Sequence, residues 1–177
     1  YIAEIYLIKK NYDKAEIVAQ NYLSAYPNQK YTGEMYRIQG TADYYSGKYH
    51  EAAEAFNRYL KDNVESTRRR DALYMLGMSY YQTGVYSQVP VILGEVTTDN
   101  DALTQNAYLH MGLAYLQLAD RNKARMAFEQ AAASDADQKI KEQASYNYAL
   151  CIHETSYSAF GESVTVFEHF LNEFPNS

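Results

Sequence analysis

A small residue recurs at Ala3, Gly40, Gly77, Gly112 and Ala149, at steps of 37, 37, 35 and 37 residues. Three residues after each stands Tyr6, Asp43, Tyr80, Tyr115 or Ile152. A second small or modest residue follows at Ala15, Ala52, Val89, Ala124 and Ser163, and four residues beyond it Ala19, Phe56, Leu93, Phe128 and Phe167. A period in the thirties that alternates small and large positions is the mark of a helical repeat array. Each unit of such an array buries its apolar face only against its neighbours. Function is therefore expected on a long surface instead of in a catalytic pocket.

The local pattern agrees with paired helices. In the third unit Leu73, Leu76, Gly77 and Tyr80 share one helical face, and Val89, Ile92, Leu93 and Val96 share another. Gly84 suits the left-handed residue that ends a helix, and Gly47 plays the same part in the second unit. Ser87 is placed to cap the next helix, with Pro90 in its first turn. Asp120 or Asn122 serves in the fourth unit. Helices are predicted over 1–9, 13–25, 31–46, 49–62, 67–83, 87–97, 100–118, 121–134, 137–155 and 160–174. Gly40, Gly77 and Gly112 each fall mid-helix, where Gly costs about 1 kcal/mol relative to Ala. Their recurrence implies close helix contact, with a large residue such as Tyr80 or Phe128 filling the volume beside it. On that reading Gly77→Leu overpacks its hairpin. Tyr49, Tyr80 and Tyr115 are expected in the core.

These phrases resemble the tetratricopeptide repeat over essentially the whole chain. That family has Gly or Ala at its eighth position, Tyr at its eleventh, Ala at its twentieth, an aromatic at its twenty-fourth and Pro at its thirty-second. The stretch Gly40 to Phe56 follows the pattern, as do Gly112 to Tyr115 and Ala124 to Phe128, while Pro27 and Pro175 stand at the closing position. The period is longer than the family's. Val64, Asp101 and Ala136 replace the middle prolines, and the fifth unit carries extra residues around Tyr157 to Gly161. The resemblance implies an all-α, right-handed solenoid of five stacked antiparallel helix hairpins. It would form a single array with repeats near 1–30, 31–66, 67–99, 100–136 and 137–177.

It also implies a concave groove lined by the first helix of each repeat. Carried over by position, the second repeat offers Glu34, Arg37, Thr41, Tyr44 and Tyr45. The third offers Asp71, Tyr74, Met78, Tyr81 and Gln82. The fourth gives Asn106, His110, Leu113 and Gln117, and the fifth Gln143, Tyr146, Asn147, Leu150, His153 and Glu154. Rigid aromatics among adaptable polar groups suit a peptide or protein partner. Packing between repeats is the competing use of Tyr44, Tyr45, Tyr74, Tyr81 and Tyr146. The clamp by which chaperone-binding members hold a C-terminal carboxylate is not expected, because Arg37, Thr41, Tyr74 and Met78 supply only one cation.

Composition bounds the alternatives. The net charge is −6, which excludes the basic field of a nucleic-acid binder. Arg68-Arg69-Arg70 is the one dense basic run and reads as the solvated start of a helix, with contact to an anion or an acidic partner as the alternative. No apolar stretch reaches the roughly 20 residues of a membrane span. Cys151 stands alone, a buried thiol on this reading, and two residues from His153 it faces another side of its helix. His50, His110, His153 and His169 are scattered, without metal-ligand spacing, and Gly33, Gly40 and Gly47 punctuate the repeat instead of forming a phosphate loop. No cofactor, metal or catalytic residue is expected. The chain starts at Tyr1 without Met and closes on Phe174-Pro175-Asn176-Ser177 without a polar capping helix. It is therefore expected to be a piece of a longer protein. Its segment endings, Leu23 to Pro27 and Leu171 to Pro175, resemble repeats of bacterial envelope proteins, which favours a periplasmic or outer-membrane-associated setting. Three readings stay open: an interaction scaffold, a peptide-sensing regulator, and the non-catalytic arm of a larger enzyme.

Overall fold

The computed structural model describes residues 2–62, 68–155 and 160–177. Ten helices run in chain order: α1 (Ile2–Ile8), α2 (Tyr12–Ala25), α3 (Thr32–Tyr45), α4 (Tyr49–Asp62), α5 (Arg69–Gln82), α6 (Val89–Gly94), α7 (Ala102–Gln117), α8 (Arg121–Ala132), α9 (Gln138–Thr155) and α10 (Phe160–Glu173). No strand occurs among the described residues. The chain divides into two compact units, Tyr1–Val85 and Tyr86–Ser177, and the division falls inside the third repeat. In the first unit α1 packs on α2, α2 on α3, α3 on α4 and α4 on α5. In the second α6 packs on α7, α7 on α8, α8 on α9 and α9 on α10.

The repeat positions explain the packing. Ala3, Gly40, Gly77, Gly112 and Ala149 are all buried, as are Ala15, Ala52, Val89, Ala124 and Ser163. A Cβ on Gly40 would lie 3.1 Å from three ring carbons of Phe56, and one on Gly112 would lie 2.5 to 2.8 Å from the Phe128 ring. Both rings are fully buried, so these glycines exist to let an aromatic ring lie flat on the facing helix.

One turn closes the first helix of four successive repeats. The second residue past the helix takes a left-handed conformation at Lys10 (φ 55°), Gly47 (79°), Gly84 (76°) and Ala119 (57°). The next amide then donates back five residues, as in Asn11 to Tyr6, Lys48 to Asp43, Val85 to Tyr80 and Asp120 to Tyr115. The expected stops at Gly47 and Gly84 are thus present, and Lys10 and Ala119 perform the same turn against the preference of a side chain for negative φ.

Capping corrects one expectation. Asp120 caps α8 by accepting from the Lys123 amide at 3.1 Å, but Ser87 lies in a turn and Gln88 occupies the cap of α6 without a side-chain bond. Pro90 sits in the first turn as expected. Helix α6 is also shorter than the expected 87–97. Past Gly94 the chain tightens into bonds of three residues' span, Glu95 to Ile92 and Val96 to Leu93. Gly94 and the β-branched Val96, Thr97 and Thr98 are weak helix formers, so the apolar spacing continues while the helix does not. Asp101, standing where the family has Pro, caps α7 through the Thr104 amide at 2.9 Å. The other predicted helices match to within three residues at each end. Val64 and residues 157–159 of the expected insertion lie outside the described residues.

Candidate functional site

Helices α1, α3 and α5 bring a polar strip together in the first unit. The Arg37 guanidinium donates to Glu34 at 2.7 Å through Nε and to Glu4 at 3.1 Å. Arg68, just before α5, donates to Glu4 at 2.6 Å and to Glu34 at 2.9 Å. Two arginines and two glutamates from three repeats thus form one neutral lattice. Burial alone would raise the Glu4 carboxyl, but the Arg68 hydrogen bond and the charges of Arg37 and Arg68 hold it below the usual range. Single exposed pairs are worth about 0–1 kcal/mol, so the lattice orders the side chains more than it stabilises the fold. Beside it lies a cavity of 280 Å³ lined by Glu4, Arg37, Thr41, Arg68, Asp71 and Met75.

One helical turn along α3 the strip becomes aromatic. Thr41 donates to the Arg37 carbonyl, and Tyr44 and Tyr45 follow at the spacing that keeps them on its side of the helix. Tyr45 stacks on Tyr12 with centroids 5.1 Å apart, and Tyr44 meets Tyr45 edge-on at 5.4 Å and Tyr49 at 5.5 Å. Burial, reinforced by Tyr44 and Tyr45, pushes the Tyr74 hydroxyl up to about 12, so it remains a hydrogen-bond donor at any physiological pH. Of these rings Tyr45 is the most open, 57% exposed, while Tyr44, Tyr49 and Tyr74 are half-buried.

The sequence-derived residues separate on inspection. Arg37, Thr41, Tyr44, Tyr45 and Tyr74 converge in this strip. Tyr81 is half-buried and Gln82 exposed at the end of α5. Met78 is buried, 6% exposed, and offers no surface. In the second unit His110 is half-buried and hydrogen-bonds through Nδ1 to the Asn106 carbonyl at 3.0 Å, with its pKa lowered by burial. Leu113 and Leu150 are half-buried, and Gln117 is exposed. Asn147 donates to the Gln143 carbonyl at 2.7 Å. Tyr146 and His153 turn partly toward α10, their rings 5.7 Å from Phe170 and 6.4 Å from Phe167.

Three readings change. Arg68 is not simply solvated; its long side chain reaches back over α1 and α3. Glu4, at the groove position of the first repeat, was missed, although its register with Thr41 could have found it. Tyr49, Tyr80 and Tyr115 are half-buried instead of core, and Tyr80 accepts from the Asn57 amide at 2.9 Å. Cys151 is buried, and burial raises its thiol pKa, as befits a small apolar filler. No group of three His, Cys, Asp or Glu among the described residues is placed to hold a metal ion. No described helix is long and apolar enough to cross a membrane.

Stacked helix hairpins with a polar and aromatic strip along their first helices define a class of binding scaffold. Two tetratricopeptide repeat profiles match the sequence, over residues 39–87 and 105–138, so the chain carries tetratricopeptide repeats. No curated protein matches it. Among solved structures, a crystal structure of MamA is 21% identical with a TM-score of 0.76, covering 99% of this chain and 95% of that one. A second MamA crystal structure is 21% identical with a TM-score of 0.77, covering 98% and 88%. The MamA RS-1 ArsTM double mutant is 18% identical with a TM-score of 0.76, covering 98% and 91%. At such identities the likeness is one of fold. The repeats support a protein–protein interaction scaffold, a type of module that is typically non-catalytic.

Proposed function

We propose that this chain grips a polypeptide along the strip of its first unit, with Tyr44, Tyr45 and Tyr74 as anchors and the Glu4–Arg37–Glu34–Arg68 lattice as a polar register. The observation that carries this reading is the pre-assembled side chains. Stacked tyrosines and cross-linked arginines have already lost much of the freedom that binding would otherwise remove. The lattice holds no uncommitted arginine for a terminal carboxylate, so recognition rests on aromatic contact and the exposed Tyr45 ring. A cell-envelope setting is supported only by the resemblance of the segment endings Leu23 to Pro27 and Leu171 to Pro175.

The test is an array of random dodecapeptides probed with the chain and with two variants. Tyr45→Ala combined with Arg37→Ala is expected to lose most bound peptides. Met126→Ala, an exposed change on α8, is expected to keep them. Full retention of binding by the double variant would remove the strip from consideration.

A further inference from the structure

Asp43 stands at a repeat position held elsewhere by Tyr6, Tyr80, Tyr115 and Ile152. It is 1% exposed, and neither carboxylate oxygen has a hydrogen-bond partner of good geometry. The groups that act on it are Glu16 from α2, Lys48 from the α3–α4 turn and Glu51 from α4, with Gln39 on α3 contributing only weakly. Lys48 is the one cation among them, and both Glu16 oxygens already hold its ammonium, at 2.9 and 2.7 Å. An ionised Asp43 would thus be a buried charge without solvation, facing two further carboxylates. Burial first, then Glu16 and Glu51, raise its pKa from 3.8 to about 6.

We propose that Asp43 is a built-in pH-sensitive catch: protonated, it lets α2, α3 and α4 close around it, and ionised, it loosens that packing. Since α3 also carries Arg37, Thr41, Tyr44 and Tyr45, the catch sits in the wall of the candidate binding strip. It acts whether or not a partner is bound. The sign is fixed by linkage. The native state holds the proton more tightly than the unfolded chain, so the stabilisation is complete below pH 3.8 and is lost as pH rises toward about 6. A separation of roughly two pKa units corresponds to about a hundredfold change in the opening equilibrium.

The experiment is a carbon-detected NMR titration of the Asp43 carboxyl, run alongside native-state hydrogen exchange of the α2–α4 amides corrected for intrinsic rates. The carboxyl is expected to titrate near pH 6. Protection is expected to fall by up to about a hundredfold as pH rises through the titration, and to stay flat in Asp43→Asn. Glu16→Gln should move the midpoint down, because it removes a repelling charge and frees Lys48. A carboxyl midpoint near 4, or equal pH slopes in the native chain and in Asp43→Asn, would overturn the proposal. Should Asp43→Asn not fold, the titration of the native chain decides alone.

Discussion

Asp43 on α3 and Gln105 on α7 each lie on the first helix of a repeat, in different units, and each is 1% exposed, yet their surroundings are opposite. The Gln105 amide donates to the Ala131 carbonyl at 3.0 Å and the Ser134 carbonyl at 2.7 Å, and its oxygen accepts from the Asp137 amide at 2.7 Å. One side chain thereby closes the end of α8 and starts α9. Asp43 makes no such bond and faces carboxylates. The lesson is that a buried polar group is neither good nor bad for a repeat array. In the second unit it supplies the partners that loose backbone ends require, and in the first it leaves a penalty that a proton can relieve.

The largest expected effect breaks the comparison at Gln105. Gln105→Ala strands two carbonyls and one amide and opens a cavity, so the second unit should lose about 2–4 kcal/mol in denaturant unfolding. At neutral pH Asp43→Asn should not destabilise the first unit, since it removes a buried charge. If both changes proved equally harmful, the contrast would be wrong.

Glycine packing separates the units less sharply. Gly112→Ala drives a Cβ to 2.5 Å from the fully buried Phe128 ring and should cost about 1–3 kcal/mol. Gly40→Ala meets Phe56 at 3.1 Å, too close by a few tenths of an ångström, and the helix preference for Ala offsets most of the cost. Denaturation midpoints of the two variants should therefore differ, with Gly40→Ala close to the native chain.

Acidity should divide the units as well. His110 is held below its ordinary 6.5 by burial, so the unfolded chain binds its proton more readily. The second unit then keeps its stability above pH 6.5 and loses it as pH falls through the lowered pKa, the reverse of the first unit. Exchange protection of α7 amides falling as pH rises would contradict this. The smallest effect unites the two halves. Lys10→Gly and Ala119→Gly relieve a left-handed residue in each, and each should gain about 0.5 kcal/mol, visible as a rise in melting temperature.

Much of this was legible beforehand because it is periodic. Helix order, the Gly47 and Gly84 stops and Phe128 as a large residue beside a close helix contact follow from spacing alone. Of the candidate residues, Arg37, Thr41, Tyr44 and Tyr45 came together because one helix face is a local property, and Tyr74 joins them from α5 at the repeat position of Arg37. Arg68 was read first as solvated because a run of three arginines looks the same from sequence whether it meets water or a carboxylate from another repeat. Met78 was misplaced because register specifies a direction but not what covers it. The end of α6 was overextended because apolar spacing persists through Val96 after the helix has stopped.

The sequence by itself determined a ladder of helix pairs and the faces those helices bury, since both depend on neighbours three or four residues apart. Only the tertiary structure decided which polar side chains found partners. Glu4 meets Arg68 across 64 residues, and Gln105 meets Asp137 across 32. Asp43 stands at a position that its own repeat phrase marks as apolar. Whether a buried group is satisfied depends on geometry among distant segments, and no local spacing encodes that.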